Sequence, residues 1–173
     1  CNEAGVPVVM ANRAAGEGAE VVGTVTSDNE AMVQRELEYI LEKAKKDGTK
    51  YKVIKLVGSL TDANAIARDN GFNAVADENP DVFDVVSEVA TEWKGELALA
   101  GILSAFEENP DINMIFSPSD ALLPSIISGL QQLDKYKKVG EEGHVTLVTF
   151  DGAKDAVDAI KEGYVDVVSV QDA

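Results

Sequence analysis

His144 to Gly152, HVTLVTFDG, limits the folds open to this chain more than any other stretch: a β-branched apolar run ends abruptly in an acid followed by glycine. Val145, Leu147, Val148 and Phe150 suit a strand covered on both faces, as in a parallel sheet. Asp151 falls just past the carboxyl end of that strand, where open α/β sheets place ligand groups, and Gly152 supplies the turn into the next helix.

The same plan recurs upstream. Val6 to Ala11 is an apolar run closed by the polar pair Asn12 and Arg13, and AAGEGAE then reads as a loop. Its Gly16 and Gly18 lack the Lys-Ser/Thr of a phosphate-binding loop and the strand-helix setting of a dinucleotide fingerprint. Glu20 to Thr26 is a second extended segment. Ser27, Asp28 and Asn29 offer caps for an amphipathic helix carrying Val33, Leu37, Ile40, Leu41 and Ala44, stopped by Gly48. Tyr51 to Val57 is the next strand, with Gly58 to Asp62 leading into a helix over 63–76. ENPDV at 78–82 and ENPDI at 108–112 mark the exits of two successive helices, since proline cannot continue them. Between them lie a strand from Phe83 to Val89 and a helix opened by Trp93. Ile112 to Phe116 is a strand leaving through Ser117 to Asp120 into a helix bearing Leu122, Ile126, Leu130 and Leu133. A helix over 154–162 and a strand from Val165 to Val170, ending at Gln171, complete the chain.

From Thr26 onward a helix, four strand-helix units and a strand follow one another. That order predicts an α/β fold with a doubly wound, mostly parallel sheet. The first 25 residues add two extended segments without a full helix between them, as the tail of a neighbouring lobe and its crossing strand would.

Composition narrows the partners. Thirty-one acids against 15 bases leave a formal charge of −16, which argues against nucleic acid and anionic membranes. Cys1 is the single cysteine, so no internal disulfide forms. It is the residue with which a processed lipoprotein begins, but NEAGVPVVMANR reads as a helix end running into a strand, the middle of a fold. Targeting signals, if encoded, are expected upstream of residue 1.

Asn12, Arg13, Asp62, Trp93, Ser119, Asp120, Asp151 and Gln171 all fall at or just beyond strand ends or helix starts. Carboxylates and arginine hold adjacent hydroxyls, and an indole covers the C–H face of a sugar ring. Taken singly, each has a plainer reading. Asp62, Ser119 and Asp120 suit N-caps, Asp151-Gly152 a turn, Trp93 the core, Arg13 an exposed charge and Gln171 an ordinary strand end. Only the joint pattern points to a ligand. His144 starts its strand, opposite the tips, so no nucleophile triad assembles there. Zinc spacing is absent and no phosphate cradle accompanies the acids. No enzyme, metal or cofactor is expected.

VPVVMANR at 6–13, SDN at 27–29, RDNGF at 68–72, Ser119-Asp120, TFDG at 149–152 and the terminal VSVQ together resemble the ribose-binding-protein-like sugar-binding proteins of bacterial ABC importers. The resemblance covers essentially the whole chain. It implies two α/β lobes closing on one monosaccharide or polyol, with residues 1–22 ending the first lobe and beginning the hinge crossing, and 23–173 forming the second lobe up to the next hinge. It also implies an ABC permease as partner and an extracytoplasmic location, periplasmic or at the cell surface if lipid-anchored. By position, Asn12 and Arg13 match the first-lobe polar pair, Asp62 a hydrophilic position, Trp93 the stacking aromatic, Ser119-Asp120 an Asn-Asp pair, Asp151 the acid after the central strand and Gln171 the hinge glutamine. Two departures stand out. Ile66 replaces a sugar-binding arginine, with Arg68 expected on another helical face, and Ser119 replaces an asparagine. The effector domain of a LacI-type regulator resembles the same fold and is the alternative; a helix-turn-helix upstream would mark it, a signal peptide the receptor.

Overall fold

Apolar runs buried on both faces need helices above and below them, and the computed structural model, which describes residues 1–171, has this arrangement. The elements are β1 (Val9–Ala11), β2 (Gly23–Val25), α1 (Asn29–Asp47), β3 (Tyr51–Val57), α2 (Ala63–Ala76), β4 (Phe83–Ala90), α3 (Gly95–Glu108), β5 (Met114–Phe116), α4 (Leu123–Gln132), β6 (Thr146–Asp151), α5 (Lys154–Glu162) and β7 (Val167–Val170). Single 3-10 turns occupy Asn2–Ala4 and Asp120–Leu122. The last two residues of the expected second lobe lie outside the described range.

The main sheet has five parallel strands in the order β4-β3-β5-β6-β7. After β3 the chain steps outward to β4, then returns to the other side of β3 to lay down β5. Winding therefore reverses between β3 and β5, and the loops leaving their carboxyl ends part there, which opens a crevice. Side chains alternate across the sheet. Val53, Met114, Phe116, Val148 and Phe150 pack under α1 and α2 with Val33, Leu37, Ile40 and Phe72. Ile54, Leu56, Ile115 and Leu147 face α3, α4 and α5 through Ile102, Phe106, Ile126, Leu130 and Ala156. Each fully buried side chain of this size contributes about 1.5–3 kcal/mol.

Local signals set the element ends. Asp28 caps α1 by accepting from the Ala31 amide at 3.0 Å, and Gly48, at φ 78°, closes it with its amide on the Ala44 carbonyl. The two ENPD phrases make the same turn: Val82 and Ile112 donate to the carbonyls of Asn79 and Asn109 at 3.0 and 3.2 Å.

Several boundaries differ from those expected. β1 begins at Val9 rather than Val6, β5 at Met114 rather than Ile112 and β7 at Val167 rather than Val165. Trp93 does not open α3; it lies in the preceding loop with φ 60°, and the helix starts at Gly95. The first segment stands apart from the main sheet. β1 and β2 pair only with each other, in parallel register Val9 to Gly23, and Val6, Val9, Val22 and Val25 are each more than half exposed.

Candidate ligand-binding site

Each strand of the main sheet delivers polar groups to the same end. β3 leads into Gly58–Asp62, β4 into Thr91–Lys94, β5 into Ser117–Asp120, β6 ends on Asp151, and β7 is followed by Gln171. A cavity of about 230 Å3 opens there, lined by Asn12, Arg13, Asn64, Arg68, Trp93, Ser119, Ala121, Asp151 and Gln171. Six of the eight expected site residues are thus brought to one wall.

Arg68 is the centre of this cluster. Its side chain is 4% exposed and runs over the Phe150 ring at 4.0 Å. Nε donates to Asn29 Oδ1 at 2.8 Å, Nη1 to the Pro118 carbonyl at 2.5 Å, and Nη2 to Gln171 Oε1 at 3.1 Å, with Asp151 Oδ1 3.0 Å away. Burial lowers its pKa, and Asp151 counteracts this; a guanidinium remains charged regardless. Arg68 does stand on a different helical face from Ile66, as expected, and it is this face that meets the cavity. Ala65, Arg68, Phe72 and Ala76 share the buried stripe of α2, whereas Ile66 is 45% exposed. A charge spaced into an apolar stripe must find a buried counter-charge, and that spacing was the signal available for it.

Asp151 takes φ 115°, a backbone region that disfavours side chains. It is held there because its carbonyl still accepts from the Gln171 amide at 3.1 Å while its carboxylate turns into the cavity. Oδ2 accepts from the Ser119 hydroxyl at 2.6 Å, and Ser119 Oγ in turn accepts from the Ala121 amide at 3.2 Å. Ser119 is thus both a cap and part of the wall.

The first segment is tied in through Asn12 and Arg13. Asn12 Oδ1 accepts from Gln171 Nε2 at 2.8 Å and from Asn64 Nδ2 at 3.3 Å. Arg13 Nη2 donates to Asp62 Oδ2 at 2.6 Å, and the same oxygen accepts from Trp93 Nε1 at 3.2 Å. Asp62 Oδ1 caps α2 through the Asn64 amide at 2.9 Å. Asp62 therefore lies behind the cavity wall rather than on it. Asp120 also stands back: its carboxylate accepts from Thr149 Oγ1 and the Ala153 amide, both at 2.7 Å, and burial raises its pKa. With Asp151 it borders a second, more apolar hollow of about 670 Å3 beside Leu123, Pro124 and Ile127.

Asn64, Arg68 and Ala121 complete the wall without having been expected there. Arg13 pairs with Asp62 and Arg68 with Asp151, so each charge at the site already has its opposite. His144 lies two residues before β6 rather than starting it, with its imidazole bonded to Asp166 Oδ2 at 2.8 Å.

A family profile described as a periplasmic binding protein domain matches residues 1–173. The chain belongs to this family. It is 26% identical over 160 residues to the D-apiose import binding protein of Actinobacillus succinogenes, covering 92% of this chain and 48% of that protein. It is 27% identical over 162 residues to the ribose import binding protein of Haemophilus influenzae, covering 94% and 51%. The chain thus spans about half the length of these curated relatives. Among solved structures, an ABC transporter solute-binding protein from Actinobacillus succinogenes with bound D-allose superposes with a TM-score of 0.80 at 22% identity, over 95% of this chain and 57% of its own. A Mycobacterium smegmatis protein in complex with β-D-fucofuranose gives 0.85 at 16%, over 98% and 55%. These likenesses establish the three-layered helix-sheet-helix lobe of sugar-binding proteins as the fold of this family member.

Proposed function

We propose that this chain is the greater part of the ligand-binding cleft of an extracytoplasmic receptor that holds one neutral monosaccharide or polyol and delivers it to an ABC permease. The observation that carries this reading is the charge balance of the cavity. Both arginines of the wall are matched by carboxylates, Arg68 by Asp151 on the wall and Arg13 by Asp62 behind it, so a ligand with net charge would meet no unmatched partner, whereas hydroxyls can both donate to the remaining Asp151 lone pairs and accept from Asn12, Asn64 and Gln171. Trp93 supplies the apolar plane that a ring's C–H face needs. The ligands named for the relatives, D-apiose, ribose and D-allose, are all of this neutral class.

Residues 1–22 then end a first lobe and begin the crossing, and 23–173 form the second lobe. The exposed valines of β1 and β2 suit a first lobe continuing over them. Charged hydrogen bonds contribute about 1.5–3 kcal/mol each, and micromolar binding needs about 8 kcal/mol net. The two-lobed protein carrying this segment is the form to test. Calorimetry with neutral pentoses, hexoses and cyclitols is expected to find a micromolar ligand, and sugar phosphates and sugar acids are expected to bind at least about tenfold more weakly. A charged ligand preferred over every neutral one would overturn the proposal.

A further inference from the structure

We propose that Gly58 and Asp62 are positioning residues that set the Trp93 indole in place before any ligand arrives, and that Asp62 acts on a ligand only through Trp93 and Arg13. The consequence for ligand binding rests on the function proposed above; the seating of the indole does not.

The loop that carries Trp93 is held in an unfavourable conformation. Glu92 and Trp93 adopt successive positive φ values of 48° and 60°, which side chains resist unless their surroundings impose them. Thr91 supplies one anchor: its amide and hydroxyl both donate to the Val57 carbonyl, at 2.8 and 2.7 Å, pinning the loop beside the exit of β3. Gly58 is the next residue. A Cβ placed on it would stand 2.3 Å from Trp93 Cη2 and Cζ2 and 2.7 Å from Cε2, so the six-membered edge of the indole fills the space that glycine leaves. The other end of the ring is fixed by Nε1, which donates to Asp62 Oδ2. Backbone anchor, ring edge and ring nitrogen together determine the plane of the platform.

The carboxylate of Asp62 is spent on this task. It receives Arg13 and Trp93 on one oxygen and the Asn64 amide on the other, its side chain is 10% exposed, and it is absent from the cavity wall. Gly58 therefore constrains which aromatic fits and how it lies, and Asp62 couples that ring to the first-segment arginine.

Trp93 is the only tryptophan, so all indole emission and the one indole N–H resonance report on it. Two variants of this chain test the seat. Gly58→Ala fills it; Asp62→Ser keeps a good N-cap for α2 but is too short to reach the ring. Both are expected to shift the emission to longer wavelength and raise acrylamide quenching about twofold, with far-UV circular dichroism unchanged, because the crowded or untethered ring swings outward. Asp62→Ser is also expected to move the indole proton upfield as its charged acceptor is lost. If Gly58→Ala fails to fold, Asp62→Ser decides. Unchanged emission, quenching and indole shift in Asp62→Ser overturn the proposal. In the two-lobed protein, Gly58→Ala is expected to weaken any neutral sugar that binds the wild type by about tenfold, or about 1.4 kcal/mol; full affinity with a displaced indole overturns the platform role. Absence of any sugar binding in the wild type refutes the proposed function and leaves the indole readouts to decide the seat.

Discussion

Replacing Arg68 with methionine keeps most of the aliphatic bulk over Phe150 and removes the charge. Asp151 Oδ1 loses its cation, and the Pro118 carbonyl and Gln171 Oε1 lose a donor. Breaking a buried ion pair from one side costs about 3–5 kcal/mol. The Asp151 side chain is 32% exposed, so water recovers part of this, and the lower end, about 3 kcal/mol, is the reasoned value. With a urea dependence of about 2 kcal/mol per molar for a domain of this size, the midpoint should fall by about 1.5 M. Far-UV circular dichroism during urea titration measures it. Asp151→Asn alone should cost less, and the double variant should be more stable than the sum of the two by about 1–2 kcal/mol, since each removes the other's stranded partner. Sodium chloride should weaken this coupling only in part, because Arg68 is buried although Asp151 is 32% exposed, and should weaken the Arg13–Asp62 contact more, since Arg13 is half exposed. A midpoint drop below about 0.5 M, or strict additivity, would refute the picture of Arg68 as the charge that holds the site together.

Asp151→Ala in the two-lobed protein is expected to weaken ligand binding about ten- to a hundredfold on the charged hydrogen-bond scale, read by calorimetry; unchanged affinity removes Asp151 from the site. His144 is expected to confer a pH-dependent stability. Burial opposes its charged form, but the Asp166 hydrogen bond, the Lys137 carbonyl and the Asp166 charge raise its pKa overall. Its contribution is complete below about pH 6.5 and is lost as pH rises through the raised folded value, so the stability gap to His144→Gln should shrink over that window. A gap that widens with pH would contradict this. Glu36 is pushed up to about 8 by burial, Ser169 lowering it only in part, and its Oε2 has no hydrogen-bond partner among the described residues. The folded chain holds that proton where the unfolded chain releases it, so stability falls as pH rises from about 4.5 towards 8. Glu36→Gln, still able to accept from the Ser169 amide, should stabilise the chain at pH 7 by about 3 kcal/mol and by almost nothing at pH 4; a destabilised variant at pH 7 would refute the reasoning.

The order of elements and the parallel sheet were legible because they are written in local periodicity: period-two or continuous apolar runs for strands, and 3.6-residue stripes for α1 to α5. The strand tips followed, since a run that ends in polar residues marks its own end. Placement of Asn12, Arg13, Trp93, Ser119, Asp151 and Gln171 on one wall was an inference from the parallel order, in which all carboxyl ends point the same way. Asp62 and Asp120, taken singly, suit caps better and join the site only through the joint pattern, because composition cannot say whether a carboxylate spends its lone pairs on a ligand or on nearby amides. The loop ending before Gly95 was misread as helix because leucines and alanines continue the pattern beyond it, and nothing local reports that Glu92 and Trp93 take positive φ.

By itself, then, the sequence determined the α/β alternation, the buried stripes and the residue types available at each tip, all of which depend on neighbours within a few positions. Only the tertiary structure decided the strand order, with its reversal between β3 and β5, the turning of Arg68 onto Asp151 and the seating of Trp93 against Gly58 under the hold of Asp62. Those outcomes depend on contacts between residues far apart in the chain, as in the pairs Trp93 with Asp62, 31 positions apart, and Arg68 with Gln171, 103 apart, where a single side chain must choose among several distant partners and burial makes each wrong choice costly.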